Sequence, residues 1–191
     1  MNLHEKESEY LRKEIEFYLE KIDSMSNILY VSFTVVLTWA IERQNPMICY
    51  AAYCIIIPFY VIANSYNISI LRIGSYFIVF YDDYQWERRL NRVNVISKSE
   101  INRFASSYKL SYIFIGILST FLSWIILLFN DTILVDDVFV VSNILFTIFT
   151  VSFLVIVLMQ KSNDQIKEAY IRGWQKVKDE ETSVSFTNSL R

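Results

Sequence analysis

Glycine, proline, cysteine and histidine are all scarce in this chain, which contains 3, 2, 2 and 1 of them among 191 residues. So few glycines and prolines argue against a turn-rich β fold and favour long helices. Three glycines also provide little material for a glycine-rich phosphate loop. The residue that acid–base catalysis uses most often is present once, as His4 near the N-terminus. We therefore expect an all-α protein without enzymatic activity and without a cofactor.

The cysteines and the charge balance exclude further classes of protein. Cys49 and Cys54 lie in one apolar run, where a helix would point them to different faces, so we expect neither a disulfide nor a metal pair. The formal net charge is −2 at pH 7, which gives no reason to expect a nucleic-acid partner.

Four apolar runs that lack Asp, Glu, Lys, Arg and His are long enough to cross a membrane, since a hydrocarbon core of ~30 Å needs about 17–25 helical residues. They cover residues 25–41, 47–63, 110–129 and 138–159. Polar residues 42–46 predict a tight turn, and Pro58 predicts a kink in the second span. Absence of charge within the spans argues against proton-coupled transporters and voltage sensors. The sequence thus predicts an integral membrane four-helix bundle in contact with the lipid bilayer.

Residues 68–81 form a further apolar run that is too short to be a span. Fourteen helical residues reach only about 21 Å, and an arginine at the bilayer centre, as Arg72 would be, costs roughly 2.5–3.5 kcal/mol. We interpret this run as a cytoplasmic continuation of the second helix. Residues 82–96 predict a mixed-charge connection, and Ser97 followed by Glu100 fits a capping box that begins the next helix.

The basic residues predict the orientation of the chain. Of its 18 Lys and Arg residues, only Arg43 falls in a segment that the four-span topology places outside. Because positive charge near spans stays cytoplasmic, we predict a multi-pass membrane protein with both termini in the cytoplasm. The predicted organisation is a cytoplasmic amphipathic helix at 1–25, transmembrane hairpins at 25–63 and 110–159, a cytoplasmic helical segment at 64–109, and a cytoplasmic helix with a disordered tail at 160–191.

Both ends of the chain predict helices. Along residues 1–25, apolar side chains recur at steps of four and three, at Leu11, Ile15, Tyr18, Ile22 and Met25. This face either packs against the same chain or the membrane surface, or forms a short coiled coil between subunits. A second series follows the last span, at Ile166, Tyr170, Trp174 and Val177. The final stretch, DEETSVSFTNSLR, has no periodicity and predicts the disordered tail.

The last two predicted spans each carry one stripe of small and polar residues. The stripes consist of Gly116, Ser119, Thr120 and Ser123 on the third span, and Asn143, Thr147 and Thr150 on the fourth. One interpretation is a packing seam, because helix interfaces in lipid use small and hydroxyl residues. The other is one wall of a water-filled path that several subunits assemble, with weak selectivity because the wall is uncharged.

The segment after the second span concentrates aromatic and charged residues, and it is a candidate cytoplasmic docking surface. Its members are Arg72, Tyr76, Asp82, Asp83, Trp86, Glu87, Arg88, Arg89 and Arg92. They fit a juxtamembrane belt, with aromatic rings at the headgroups and arginines beside anionic lipid. They also fit a surface that binds a cytoplasmic signalling partner, where Trp and Arg would be the anchors.

The run RIGSYFIVFYDDYQWERR, which follows an apolar span and a proline, resembles a pattern in uncharacterised small bacterial multi-span membrane proteins. With its long helical extensions, the chain is also similar to small membrane effectors of bacterial immune systems (antiviral defense). The resemblance covers about twenty residues, and those effectors more often have two spans. It implies a homo-oligomeric, membrane-perturbing or pore-type effector of the bacterial inner membrane, gated from the cytoplasmic side. The alternative is a non-conducting membrane anchor or scaffold that recruits a soluble partner.

Overall fold

The structure, a computed structural model, describes residues 3–81, 107–130 and 137–189. Every regular element in these ranges is an α-helix, which confirms the predicted all-α class. The helices are α1 (Leu3–Arg43), α2 (Pro46–Phe80), α3 (Ser107–Leu128), α4 (Asp137–Met159) and α5 (Asn163–Ser189). The first four are long and apolar enough to cross a membrane, as the sequence predicts. The predicted connection at 82–96 and the capping box at Ser97 lie outside the described residues.

The chain divides into two compact units. We call one the apolar unit, formed by Lys21–Asn64 and Ser106–Gln160, because it contains the four apolar runs. The other, the charged unit, comprises Met1–Glu20, Ser65–Ala105 and Lys161–Arg191. Helices α1 and α2 each have one part in the apolar unit and the other part in the charged unit. The run 68–81 therefore continues the second helix, as predicted, and Pro58 lies inside that helix.

The tight turn between α1 and α2 is built from local backbone bonds. Gln44 adopts a left-handed conformation with φ of 47°, and its N–H donates to the carbonyl of Ile41 at 3.1 Å. The N–H of Asn45 donates to the carbonyl of Ala40 at 3.2 Å, which completes a Schellman cap. Asn45 is then the N-cap of α2, since its side-chain oxygen accepts the N–H of Met47 at 2.9 Å. Pro46 occupies the first helical position, where a missing N–H costs nothing.

Helix α5 begins at a capping box that the sequence analysis missed. The Ser162 hydroxyl accepts the N–H of Gln165, and the Gln165 side chain accepts the N–H of Ser162, both at 3.3 Å. The box separates α5 from α4.

The predicted disordered tail needs correction, because the helix runs on to Ser189. Thr182 and Ser183 bond back to carbonyls one turn earlier, at Lys178 and Glu180, and so satisfy their hydroxyls within the helix.

The apolar unit is built with its polar groups inside. Its core consists of aromatic and aliphatic side chains from α1 to α4, and this core also encloses buried hydroxyl and amide groups: Ser119, Thr120, Ser123, Asn143 and Thr150. The outer surface carries large apolar side chains such as Val31, Phe121 and Ile148, whose exposed fractions are 66%, 62% and 58%. This distribution is the reverse of that in a water-soluble domain.

Replacing Tyr112 by Phe should leave the stability of the apolar unit unchanged or raise it. Tyr112 is 2% exposed, and its hydroxyl has no hydrogen-bond partner among the described residues. Its ring packs edge-on against Tyr60 at 5.3 Å, a contact that phenylalanine keeps. Tyr53→Phe is the matched control, because that hydroxyl donates to Thr150 and its loss should cost about 1 kcal/mol. Thermal unfolding in detergent compares them, and a clear loss of stability in Tyr112→Phe would contradict the assignment.

Candidate functional site

The two predicted stripes face each other inside the apolar unit. We call their six polar side chains the polar seam: Ser119, Thr120, Ser123, Asn143, Thr147 and Thr150. Ser119, Ser123 and Asn143 are fully buried, and Thr150 is 3% exposed. The seam therefore lies between α3 and α4, with α2 as the third contributor, and the periodicity that the sequence shows is the periodicity of this interface.

Asn143 is the centre of the first layer of the seam. Its side-chain oxygen accepts the hydroxyl of Ser123 at 2.5 Å and that of Tyr50 at 2.6 Å. Its amide nitrogen donates to the backbone carbonyl of Ser123 at 3.3 Å. One amide thus joins α4 to both α2 and α3. The ring of Tyr50 also packs on Phe146 at a centroid distance of 4.2 Å.

Thr150 is the centre of the second layer. It lies seven residues, or about two helical turns, after Asn143 on α4. Its hydroxyl oxygen accepts the Tyr53 hydroxyl at 3.0 Å and lies 2.8 Å from the hydroxyl of Thr120. Ser119 donates to the backbone carbonyl of Cys49 at 2.8 Å, which fixes α3 against α2. Both layers therefore use the same three helices and the same kind of tyrosine partner.

The remaining two stripe residues belong to the same packing. Thr147 accepts the indole N–H of Trp124 at 2.9 Å and donates to the carbonyl of Asn143 at 2.8 Å. Gly116 permits a close approach, because a Cβ at that position would lie 2.8 Å from the Tyr53 hydroxyl. Every residue of the two stripes thus has a structural partner within the apolar unit.

Sequence reasoning missed Tyr50, Tyr53 and Trp124 as partners of the seam. The available signal was their polar tips within otherwise apolar spans, since buried Tyr and Trp usually find a hydrogen-bond partner. The six side chains of the seam include no Asp, Glu, His, Lys or Cys. The described part of the chain also holds no group of three His, Cys, Asp or Glu residues that could bind a metal.

The second predicted site falls in the charged unit, and the structure describes two of its members, Arg72 and Tyr76. The other seven lie outside the described residues: Asp82, Asp83, Trp86, Glu87, Arg88, Arg89 and Arg92. Arg72 and Tyr76 line a cleft of about 300 Å³ together with side chains from α1 and α5. The other lining residues are Glu7, Leu11, Glu14, Ile73 and Trp174.

Contacts between α2 and α5 form one side of this cleft. The indole N–H of Trp174 donates to the carbonyl of Arg72 at 3.3 Å, and the ammonium of Lys178 donates to the carbonyl of Val79 at 2.7 Å. The second contact places a positive charge at the C-terminal end of α2, which the helix dipole favours. The Trp174 ring meets Tyr76 edge-on at 5.3 Å. Helix α5 is thereby fixed along the last two turns of α2.

Helix α1 closes the cleft through tyrosine–carboxylate bonds. Glu7 accepts the hydroxyls of Tyr76 and Tyr81, at 2.8 and 3.0 Å. Burial raises the pKa of Tyr81 to about 12, and the bonded Glu7 carboxylate adds to the shift. Further along α1, Glu14 accepts the Tyr18 hydroxyl at 2.7 Å, and the Tyr18 ring stacks on Tyr66 at 5.5 Å. The amphipathic helix at residues 1–25 was predicted either to pack against the same chain or the membrane surface, or to form a coiled coil between subunits. These contacts agree with packing against the same chain.

Replacing Gly116 by Ala should destabilise the apolar unit although alanine is the better helix former. The new methyl group would displace the Tyr53 hydroxyl and break its bond to Thr150, at a cost of about 1–2 kcal/mol. In a Tyr53→Phe background the obstructing oxygen is absent, so the same substitution should be nearly neutral. Thermal unfolding of the four proteins measures the coupling. Gly74→Ala is the control, because nothing lies within 4 Å of its Cβ. Additive effects at Gly116 and Tyr53 would contradict the close contact.

The polar seam and the cleft differ in the chemistry they offer. The seam holds uncharged groups that already bond to one another, whereas the cleft combines carboxylates, a guanidinium and two aromatic rings. The seam can hold helices together, and the cleft can bind a ligand.

In comparisons with known proteins, no protein family, curated protein or solved structure matches this chain.

Proposed function

We propose that this protein is a multi-pass membrane anchor whose four spans form a closed, non-conducting bundle and whose charged unit acts on the cytoplasmic side. The observation that carries the proposal is the closed polar seam, in which six polar side chains bond to partners within the same chain. The role is structural rather than catalytic. In this proposal the four-helix bundle holds the charged unit at the membrane, where that unit binds a cytoplasmic partner.

The polarity of the apolar unit supports membrane insertion. Its outer surface is rich in Val, Ile, Leu and Phe, and three of its exposed hydroxyls are satisfied within their own helix. Thr34, Thr38 and Ser152 each donate to the carbonyl four residues earlier in the same helix, at 2.8 to 2.9 Å. A hydroxyl that bonds its own backbone can face lipid without an unpaired polar group. Such a surface suits a hydrocarbon environment.

The hydrogen bonds of the seam favour a closed bundle rather than the wall of a pore. A wall of a water-filled path needs polar groups that face the lumen and remain available to water. Here Ser123 and Asn143 bond each other, as do Thr120 and Thr150, and all four are at least nine-tenths buried. The competing proposal, a homo-oligomeric pore-type effector, requires another arrangement of the same helices.

Reporter fusions test the topology on which the anchor depends. We expect reporters at Asn45 and Leu134 to lie outside, and reporters at Glu5, Val95 and Ser185 to lie in the cytoplasm. The reason is that only Arg43 among 18 basic residues would face outward. An outside signal from Ser185 would contradict the proposed orientation and the number of spans.

Ion flux through reconstituted liposomes separates the anchor from the pore. We expect no leak from the wild-type protein, and we expect Ser123→Leu to loosen the bundle by about 1 kcal/mol or more, because a bulky side chain prevents close helix approach. Ser152→Leu is the matched control, since that hydroxyl is exposed and bonds only the carbonyl of Ile148. It should alter neither flux nor thermal unfolding. A wild-type leak that Ser123→Leu reduces, with the bundle intact, would establish the pore instead.

A further inference from the structure

We infer that the cleft of the charged unit binds a small primary alkylammonium ion. The cleft lies wholly within that unit, so the inference does not depend on whether the spans conduct. Its seven lining side chains come from α1, α2 and α5 and enclose about 300 Å³, a volume at the lower end of small-molecule sites. Three features of the lining select this class of ligand.

The first feature is a carboxylate already held in position. Glu14 is half-buried and lines the cleft, and its Oε1 accepts the hydroxyl of Tyr18 at 2.7 Å. This bond restricts the carboxylate before any ligand arrives, which lowers the entropy cost of binding. A carboxylate has acceptor sites for more than one donor, and an ammonium group offers three. Glu14 can thus bind the charged end of the ligand.

The second feature is the pair of aromatic rings, Tyr76 and Trp174. Their centroids are 5.3 Å apart at an interplanar angle of 76°, and both rings line the cleft. Cations are attracted to aromatic faces within about 6 Å, and Trp is the strongest partner. The half-buried position of both rings reduces the water that competes for the cation.

The third feature is the apolar part of the lining. Leu11 lies on the same face of α1 as Glu14, one turn away, and Ile73 faces the cleft from α2. Burying methylene groups here contributes about 0.8 kcal/mol each. A ligand with an ammonium head and a short alkyl stem matches this combination of side chains. An inorganic cation would make no apolar contact with Leu11 or Ile73.

The charge of the lining favours a cation over an anion. Among the lining side chains, Glu7 and Glu14 are acidic and Arg72 is basic. The Arg72 side chain is exposed, so water screens its charge. An anion at Arg72 would therefore face the fields of at least two carboxylates.

Calorimetric titration of the full chain with pentylammonium chloride tests the inference. The protein should be kept in a maltoside detergent, because phosphocholine detergents carry ammonium groups of their own. We expect saturable binding of pentylammonium, no saturable binding of the neutral analogue pentanol, and none of inorganic phosphate. Glu14→Gln should weaken binding about tenfold, and Trp174→Leu several-fold, as loss of a charge pair and of a cation–π contact would do.

Glu16→Gln is the matched control, since this exposed carboxylate lies on the same helix and does not line the cleft. It should leave the affinity for pentylammonium unchanged. Circular dichroism on each variant ensures that a lost helix is not mistaken for a lost contact. Equal binding of pentylammonium and pentanol, an affinity insensitive to Glu14→Gln in a folded protein, or saturable phosphate binding that Arg72→Gln abolishes would each overturn the inference.

Discussion

The amide of Asn143 is the interaction on which the apolar unit depends most. It is fully buried and bonds two different helices, through the Tyr50 and Ser123 hydroxyls and the Ser123 carbonyl. A buried amide without partners would cost several kcal/mol in an apolar environment. The helices must therefore meet in the one register that satisfies it. Tyr53 and Thr150 repeat the requirement one layer away, so two polar layers together specify how α2, α3 and α4 pack.

Apolar contacts alone would specify this packing poorly. In lipid, the hydrophobic effect does not distinguish one helix neighbour from a lipid tail, and association relies on close fit and interhelical hydrogen bonds. Gly116 provides the close fit, because it leaves room for the Tyr53 hydroxyl. The large side chains of the outer surface then need no defined partner. This division explains why the polar residues lie at the buried contacts between α2, α3 and α4, while the outer surface carries bulky apolar side chains.

Much of the fold could be predicted from the sequence, because helical length and periodicity are local signals. The four long apolar helices, the turn before Pro46 and the continuation of α2 through 68–81 all follow from runs of apolar residues and from their interruptions. The stripes predicted which faces of α3 and α4 carry polar groups. They could not predict the partners, because Tyr50 and Tyr53 are distant in sequence and their rings look like ordinary apolar positions.

The charged unit was harder to predict for a related reason. Its cleft joins Glu7, Tyr76 and Trp174, which lie far apart along the chain, and no local pattern indicates that they meet. The Ser162 and Gln165 box was a local signal that could have been recognised. The tail was expected to be disordered because its sequence is aperiodic and rich in Ser and Thr, whereas α5 continues to Ser189 and the hydroxyls of Thr182 and Ser183 bond to carbonyls of the same helix.

The bonding of the seam also sets a condition on any conducting state. The outer surfaces of α3 and α4 present residues such as Phe121 and Ile148 and could not line a water-filled path, so the seam itself would have to turn outward. Eight interhelical hydrogen bonds at about 0.6–1 kcal/mol each would then be lost, a total of roughly 5–8 kcal/mol. Reversing a two-state population from 1:99 to 99:1 takes about 5.5 kcal/mol. A pore built from this chain would therefore need a trigger whose binding energy is of that size, whereas a closed anchor needs none.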